Sequence, residues 1–383
     1  MQIPSLPLPS ISLPWLQPSP LQVWTVEPGA LQLTWGDLPH GEITIETPGR
    51  EDLKFIHDGG AGGVHVDRLP TGPVTLLVRS IMGAEQLTAT IPAPPPGEEL
   101  CRIATVSDIH LGSRNWGALR TVTDIEPDLP DHYDMRCATG AVEDAVKWGA
   151  SLLVIKGDAA HHRTSANFEL LGNFVDRFPK LPMILIPGNH DVDDSTKFDI
   201  PQNVGKRGLP VDRDVRVHDM PGVRVIAADT SIDYVSTGTI TPISEDIIAA
   251  ATSSSTPNLV LLHHQFQRFS VPTYWPPGIP AEESKKFLAE LGEAAPRTLV
   301  SSGHTHRNRI RRVGPLLVTE VCSTKDWPGC WAGYRVFEGG IYQVVQRVST
   351  PSAIRWTEHS RRALLGLWSP WSPGKLSDRG TAL

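Results

Sequence analysis

The stretch "LVSSGHTHRNR", from Leu299 to Arg309, places two histidines one residue apart, directly after an apolar run and a glycine. A short apolar run of this kind is typical of a buried strand, so His304 and His306 are expected where that strand ends. A single His-x-His pair is weak evidence for any site. A site at this strand end needs partners from other parts of the chain.

Four further apolar runs also end in side chains that can bind metals. Their endings are Asp108 and His110 in "ATVSDIH", Asp158 in "LVIKGD", Asn189, His190 and Asp191 in "ILIPGNHD", and His263 and His264 in "LVLLHH". In open α/β sheets, ligands bind beyond the carboxyl ends of the strands, where such side chains meet. A surface loop explains any one of these residues by itself, but it explains poorly why all the runs end in this way.

The chemistry of these side chains indicates a particular group of metals. Carboxylates, imidazoles and an amide oxygen together suit Mn, Fe or Zn rather than Ca or Mg alone. The set contains no cysteine, which disfavours a structural zinc site. A ligand set of this size is too large for one ion with an open position, but it suits two ions about 3.5–4 Å apart that share a bridging carboxylate.

The order of the motifs "DIH", "GD", "GNHD", "HH" and "GHTH" resembles that of the calcineurin-like metallophosphoesterase superfamily, over roughly residues 102 to 345. The resemblance implies a four-layer α/β/β/α sandwich with a dinuclear metal centre. It also implies an enzyme that hydrolyses phosphoesters with a hydroxide bridging the two ions. A phosphodiesterase acting on a small substrate is expected. The alternatives are a phosphomonoesterase or nucleotide pyrophosphatase and, in another class, a partner-binding protein with a vestigial metal site.

The resemblance also assigns a role to each matching residue. It implies that Asp108, His110 and His306 hold the first ion, that Asn189, His263 and His304 hold the second, and that Asp158 bridges both. His263 is preferred to His264 because the family's ligand follows the strand directly. His190 is expected to contact the phosphate and to protonate or orient the leaving oxygen, and Asp191 to bond that imidazole and fix its tautomer. The cofactors are expected to be two divalent ions, Mn or Fe, with Zn as an alternative.

One motif departs from a subgroup of this superfamily. Purple acid phosphatases carry a tyrosine after the bridging aspartate, whereas Ala160, His161 and His162 stand here. The difference argues against a purple iron centre and favours Mn or Fe(II), and a surface loop is expected for the two histidines. Substrate contacts are expected from two long loops, which carry Arg114, Asn115 and Trp116 after the first motif and Arg268, Tyr274 and Trp275 after His263.

Changes in composition and in hydrophobic pattern along the chain divide it into five segments. We predict a Pro-rich arm at 1–20, a β-sandwich resembling a fibronectin type III module at 21–91, a linker at 92–100, the catalytic domain at 101–348 and a C-terminal tail at 349–383. Strands alternate with helices after Arg102, which indicates an α/β layered domain. The tail is expected to be mobile, and the alternative is an arm that docks through Trp356, Trp368 and Trp371. A fragment beginning near Glu98 is expected to fold alone.

Composition restricts the functional classes. The 383 residues are 40% hydrophobic with a net charge of -7, which is typical of a globular protein and disfavours a nucleic-acid binder. No run is apolar for the ~18 residues that a membrane span needs, and the N-terminus lacks the pattern of a secretory signal, so a cytoplasmic protein is expected. Partners beyond a small phosphoester are expected through the β-module or the tryptophan-containing tail. The oligomeric state stays open.

Overall fold

Short runs rich in Val, Thr, Ile and Leu form an N-terminal β-sandwich in the computed structural model, which describes residues 17–47, 49–117, 122–192, 204, 209–271 and 275–383. Its strands are β1 (Gln22–Glu27), β2 (Ala30–Leu38), β3 (Gly41–Glu46), β4 (Leu53–His57), β5 (Gly60–Val66), β6 (Gly72–Ser80) and β7 (Gly83–Ile91). One sheet has the order β1-β2-β5 and the other β4-β3-β6-β7, and all pairs are antiparallel. Inward-facing residues such as Ile43, Ile45 and Trp35 fill its core.

Two six-stranded sheets form the larger part of the protein. The first has the order β10-β9-β8-β17-β18-β19 and the second has the order β11-β12-β13-β14-β16-β15. The strands of the first are β8 (Glu99–Val106), β9 (Leu152–Lys156), β10 (Met183–Ile186), β17 (Cys330–Phe337), β18 (Gly340–Arg347) and β19 (Gly380–Ala382). Those of the second are β11 (Val215–Met220), β12 (Val223–Ala228), β13 (Asn258–Leu261), β14 (Thr298–Ser302), β15 (Arg309–Val313) and β16 (Leu316–Glu320). Strands β8, β9 and β10 are parallel, as are β12, β13, β14 and β16.

Helices cover the outer face of each sheet. The covering helices are α1 (Tyr133–Trp148), α2 (Ser165–Val175), α4 (Ser244–Thr252), α5 (Ala281–Ala294) and α6 (Pro351–Ser360), and the single turn α3 (Asn189–Val192) follows β10. Helices α1, α2 and α6 share a core with the first sheet, and α4 and α5 share one with the second. A third core lies between the sheets. Central strands such as β9 are therefore buried on both faces, which explains their unbroken apolar runs. The predicted four-layer sandwich is confirmed.

Strand β1 joins the N-terminal sandwich to this body. Trp24 is 1% exposed and belongs to the core between the two large sheets. Glu27 accepts hydrogen bonds from Trp148 Nε1 at 3.2 Å and Gln346 Nε2 at 2.8 Å, and lies 3.3 Å from Arg335. Because β8 already begins at Glu99, the predicted linker at 92–100 is shorter than expected. A fragment that begins near Glu98 would lose Trp24 from a shared core.

The C-terminal arm, residues 349–383, differs from the predicted mobile tail. Trp356 is fully buried, and its indole N–H donates to the carbonyl oxygen of Lys325. Strand β19 adds to the edge of the first sheet by pairing with β18. A tryptophan buries a large apolar area when its N–H finds an acceptor, so the arm packs on the body. Trp368 contacts Trp116, whereas Trp371 is 69% exposed.

Two further observations concern the described residues as a whole. Cys101, Cys137, Cys322 and Cys330 are free thiols. None of the helices that the structure describes combines the length and the apolar character required to cross a bilayer.

Candidate active site

The structure places the predicted metal ligands at the carboxyl ends of strands from both large sheets. The first sheet contributes residues that follow β8, β9 and β10, and the second contributes residues that follow β13 and β14. They are, in chain order, Asp108, His110, Asp158, Asn189, His263, His304 and His306. All except His306 are buried. Side chains separated by up to about 200 residues of sequence therefore meet at one edge because parallel strands point their ends the same way.

The ligand atoms are close enough to share ions. In the first half of the site, defined as Asp108, His110 and His306, the Nε2 atom of His306 lies 3.3 Å from Asp108 Oδ1. In the second half, defined as Asn189, His263 and His304, His263 Nε2 lies 3.1 Å from His304 Nδ1. Ligands that lie about 2.0–2.2 Å from one ion are roughly 3–3.5 Å from each other. The spacing of these two pairs fits such an arrangement.

The carboxylate of Asp158 lies between the two halves. Its Oδ2 atom is 3.5 Å from His110 Nε2 and 3.4 Å from His263 Nε2. Its other oxygen, Oδ1, accepts a hydrogen bond from the backbone N–H of His190 at 2.9 Å. One carboxylate oxygen therefore faces imidazoles of both halves while the other fixes the side chain.

Backbone strain is concentrated at these positions. Nine non-glycine residues of the described ranges have positive φ, and five of them are predicted ligands. These are Asp108 at 54°, His110 at 45°, Asp158 at 51°, His304 at 70° and His306 at 50°. A left-handed residue with a Cβ costs roughly 1–2 kcal/mol, and such strain gathers at functional sites. The fold holds these residues in conformations that aim their side chains at one point.

The glycines of the motifs are needed because the ligands pack against them. A Cβ atom at Gly303 would collide with Ser107 Oγ and the carboxylate of Asp108. A Cβ at Gly188 would collide with Asp158. These close approaches explain why a glycine precedes His304 and Asn189, since a residue with a Cβ atom would not fit at either position.

The buried amide oxygen of Asn189 has no hydrogen-bond partner among the described residues. Asn189 is 8% exposed, and its Oδ1 atom accepts no hydrogen bond from the described protein atoms. A buried acceptor without a donor is costly, and a metal ion satisfies it. Together with two carboxylates and four imidazoles, this orphaned oxygen makes the donor set fit two divalent ions.

The electrostatics of the cluster favour cations. Burial alone would lower the pKa of His306, but the carboxylates of Asp326 and Asp108 raise it to about 10. Burial also opposes protonation of His263, yet Asp158 raises its pKa to about 9. The carboxylates thus hold protons on these two imidazoles, whereas burial lowers the pKa of His110 and lowers that of His304 to about 3. A divalent ion displaces such protons, so metal binding is linked to pH.

Groups behind the ligands fix their tautomers, and they differ between the halves. His306 Nδ1–H donates to Asp326 Oδ2 at 2.8 Å. His263 Nδ1–H donates to the carbonyl of Lys156 at 2.9 Å, and His304 Nε2–H to that of Pro277 at 3.3 Å. In each imidazole the other nitrogen is left for an ion. Asp326 was not predicted, because it lies in a loop and belongs to none of the motifs.

The C-terminal arm and the loop after β8 also support His306. Ser372 Oγ donates to the carbonyl oxygen of His306. The Trp116 ring stacks on the His306 ring, with centroids 5.6 Å apart, and Trp368 packs against Trp116. Lys325 lies with its ammonium 4.0 Å from the Trp116 ring centroid. Of the predicted substrate residues, Trp116 therefore lies beside a predicted metal ligand.

The other predicted loop residues that the structure describes show no contact with the predicted metal ligands. Arg114 and Asn115 are exposed. Trp275 is 84% exposed, and Arg268 lines a separate cavity. Tyr274 lies outside the described residues. Loop sequence alone does not determine which side chains turn toward a site.

The predicted role of Asp191 is wrong, whereas His190 lies beside the ligands. Asp191 accepts hydrogen bonds from the backbone N–H groups of Ala159, Ala160 and Gly188 at 2.8 to 3.2 Å. Consecutive residues of a helical turn point in different directions, so Asp191 faces the loops and not the neighbouring imidazole. Burial and the charge of Asp158 raise the pKa of Asp191 to about 7.

The tautomer of His190 is instead fixed by a backbone group. His190 Nδ1–H donates to the carbonyl of His161 at 2.7 Å, which leaves Nε2 as an acceptor or proton carrier. The His190 and His110 ring centroids are 4.6 Å apart. The His161 ring is 5.5 Å from that of His110 and stacks on His190 at 5.7 Å. The loop "AHH" therefore borders the site, and the expectation of a separate surface loop does not hold for His161.

A two-sheet α/β sandwich with carboxylates, imidazoles and an amide gathered at its strand ends defines a metal-dependent phosphoesterase. The family model described as calcineurin-like phosphoesterase matches residues 101–308, which is more than half of the chain. The protein therefore belongs to the calcineurin-like phosphoesterase family, whose members use a dinuclear metal centre. No curated protein matches the sequence significantly.

Several solved structures are similar to this chain. A purple acid phosphatase PPD1 from yellow lupin (Lupinus luteus) is 10% identical, with a TM-score of 0.46, and the match covers 87% of this chain and 71% of that one. A dimetal phosphatase from Danio rerio is 11% identical, with a TM-score of 0.48 and coverage of 65% and 96%. A phosphopantetheinyl hydrolase from Mycobacterium tuberculosis is 10% identical, with a TM-score of 0.36 and coverage of 59% and 90%.

Proposed function

We propose that the protein is a phosphodiesterase that acts on a small substrate and uses two divalent ions, Mn or Fe, with Zn as the alternative. The position of Asp158 carries the proposal, because one carboxylate oxygen faces His110 of the first half at 3.5 Å and His263 of the second half at 3.4 Å. A carboxylate so placed suits a bridging ligand. We assign the first and second halves of the site to one ion each, with Asp158 bridging.

The chain's own residues account for orientation and proton transfer. When bound, the two ions would supply Lewis acidity toward water and the phosphoryl oxygens. His190 presents Nε2 because its other nitrogen donates to His161, so it is suited to protonate or orient the leaving oxygen. Asp191 holds the loops that carry Asp158 and Asn189 by accepting from their backbone N–H groups.

The preference for a diester is supported by the pairing of the lysine beside the site, Lys325, with a carboxylate. Lys325 is 2% exposed, lies 3.6 Å from Asp326 and packs on Trp116. Its charge is therefore shared with Asp326, which leaves less of it for the second negative charge of a monoester dianion. A diester carries only one negative charge at phosphorus and therefore needs less positive charge around it. The complete donor set argues against a vestigial site.

A fibronectin III-like N-terminal module is supported by its three-stranded and four-stranded antiparallel sheets. That this module recruits a partner and that the protein acts in the cytoplasm stay predictions. A DNA-processing role is disfavoured by the net charge of -7.

The test compares two substrates with defined metals. The full chain is stripped of metal, reconstituted separately with Mn and Zn, and given bis-p-nitrophenyl phosphate or p-nitrophenyl phosphate. We expect metal-dependent turnover with the higher kcat/KM for the diester. A higher kcat/KM for the monoester would replace the diesterase with the phosphomonoesterase. Protein that holds two ions per chain and hydrolyses neither compound would support the partner-binding alternative.

A further inference from the structure

A second, strongly basic cavity lies beside the loops that follow β13 and β14. Its volume is about 370 Å³, at the lower end of the range for small-molecule sites. Among the described residues, five cationic side chains and two carboxylates line it, an excess of three positive charges. They are Arg268, Arg307, Arg309, Arg311 and Lys375, with Glu320 and Asp378. This excess contrasts with the net charge of -7 of the whole chain.

The two carboxylates of the cavity are engaged in holding its walls. Glu320 Oε2 accepts from Thr305 Oγ1 and from Arg307 Nε, both at 2.8 Å. Asp378 accepts from the backbone N–H groups of Ile310 at 3.2 Å and Lys375 at 2.9 Å. These carboxylates therefore serve the fold and offset only part of the positive charge that faces the cavity.

The arginines of the cavity are close enough to repel one another. Burial lowers the pKa of Arg311, and the guanidinium groups of Arg268 and Arg309 lower it further, although Glu320 opposes them. Arg309 and Arg311 are two residues apart on β15, so their side chains leave the same face of the strand. A guanidinium group binds phosphate oxygens in a fork geometry. An anion with several such oxygens would relieve this repulsion.

We propose that this cavity binds a small oligophosphate group. Two linked phosphates carry about three negative charges near pH 7, which matches the excess charge of the lining. The loops that form the walls also carry the predicted metal ligands, since Gln265 of the lining lies two residues after His263 and Arg307 follows His306. The oligophosphate is either part of the substrate or a free anion. Only the first source rests on the proposed function.

The binding test uses pyrophosphate and the metal-stripped full chain, so its result does not depend on the metal site. Isothermal titration calorimetry should show one site per chain, with an affinity that falls as salt is raised. The pair Arg268→Gln and Arg309→Gln should weaken binding by at least about tenfold. Both side chains are exposed, so the fold should be retained, and Lys375→Gln is the second variant if it is not.

The matched control removes the same charge from outside the cavity. The exposed Arg50→Gln lies in the N-terminal sandwich, and the exposed Arg216→Gln lies on β11, at the edge of the second large sheet opposite β15. The control pair should bind pyrophosphate within about twofold of the unmodified chain, since surface charges act weakly at a distance. No binding by the unmodified chain, or an equal loss in the control pair, would overturn the proposal. Tighter binding of an oligonucleotide than of pyrophosphate would also overturn it.

A kinetic comparison identifies the source of the anion. The Mn-loaded chain is assayed on bis-p-nitrophenyl phosphate and on a diester whose leaving half carries a further phosphate. If the cavity holds part of the substrate, the pair Arg268→Gln and Arg309→Gln should lower kcat/KM about tenfold for the second compound alone. Equal kcat/KM values in variant and unmodified chain for both compounds would assign the cavity to a free oligophosphate.

Discussion

The two halves of the metal site are held in different ways. In the second half, backbone carbonyls of Lys156 and Pro277 accept from His263 and His304. In the first half, His306 relies on the side chain of Asp326 and contacts Trp116. Backbone acceptors come with the strands and loops themselves. Side-chain support for the first half depends on a distant loop and on the docked C-terminal arm, which makes this half more sensitive to single substitutions.

The substitution Asp158→Asn should have the largest effect, because it removes a charge that both halves share. We expect metal content to fall at both ions and activity to drop by more than about 10³-fold. Metal analysis and turnover of the Mn-loaded protein measure the effect. Asp144→Asn, at a buried aspartate in α1, is the control. Two bound ions and near-normal turnover in Asp158→Asn would contradict the bridging assignment.

Removal of residues 1–97 should disturb both halves together, contrary to the expectation from sequence. The fragment loses Trp24, which is part of the core between the sheets that carry the halves. We expect an insoluble or metal-poor fragment. In the full chain, Trp24→Ala should lower the free energy of unfolding by about 3–5 kcal/mol, and the exposed Trp371→Ala by less than about 0.5 kcal/mol. A folded, active fragment would show that the sandwich is a separate module.

The substitution His190→Ala should leave both halves intact. Because His190 is assigned to the leaving oxygen and not to an ion, we expect two ions per chain and a loss of turnover of about 10²–10⁴-fold. The loss should be smaller for substrates with good leaving groups, which need less protonation. Steady-state kinetics on p-nitrophenyl and alkyl esters test this. Loss of an ion would make His190 a ligand.

The substitution Asp326→Asn should separate the halves. It removes the charged partner of His306, so metal affinity in the first half should fall by about 10–100-fold, while the second half keeps its ion. Calorimetric titration with Mn should change from two similar steps to one tight and one weak step. Asp219→Asn, at an exposed aspartate paired with Arg224, is the control. Equal weakening of Mn binding in both steps would contradict the proposed difference between the halves.

The smallest effect concerns the start of the C-terminal arm. Asp144 accepts from the backbone N–H and the hydroxyl of Ser349, and burial raises its pKa to about 6 from an ordinary value of 3.8. Between these values the folded state binds more protons than the unfolded state, so this group makes the protein more stable as pH falls from 7 toward 4. We expect the free energy of unfolding to rise by about 1–3 kcal/mol from this group as pH falls over this range.

Urea unfolding of the unmodified chain and of Asp144→Asn at pH 7 and pH 4 measures that contribution. Asparagine does not titrate, so the variant should lose this part of the pH dependence. An unchanged difference between the two pH values would show that Asp144 does not titrate in this range.

Much of the fold and of the site was predictable because the informative patterns are local. Each apolar run of four to six residues indicates a strand, and its polar ending indicates the sheet edge. The structure brings all seven predicted ligands to that edge, including His304 and His306 from "LVSSGHTHRNR". The glycines of the motifs also have a local reason, since the ligands pack directly against them.

The side chains that sequence reasoning missed act over long distances. Asp326 lies 20 residues beyond His306, and Ser372 lies 66 residues beyond it. Asp191 was assigned to His190 because the two are adjacent, yet its carboxylate binds the loop of Ala159 and Ala160. Adjacency along the chain did not predict the direction of a side chain.

The sequence by itself determined the order of strands and helices, the family and the residues predicted as ligands, because these follow from local hydrophobic periodicity and from motifs of fixed spacing. Only the tertiary structure decided which groups stand behind the ligands, that Trp24 completes a core shared by both sheets and that the C-terminal arm packs against the first half. It also decided that scattered arginines line one cavity. The physical reason is that packing and charge act through space, whereas a sequence pattern records only neighbours along the chain.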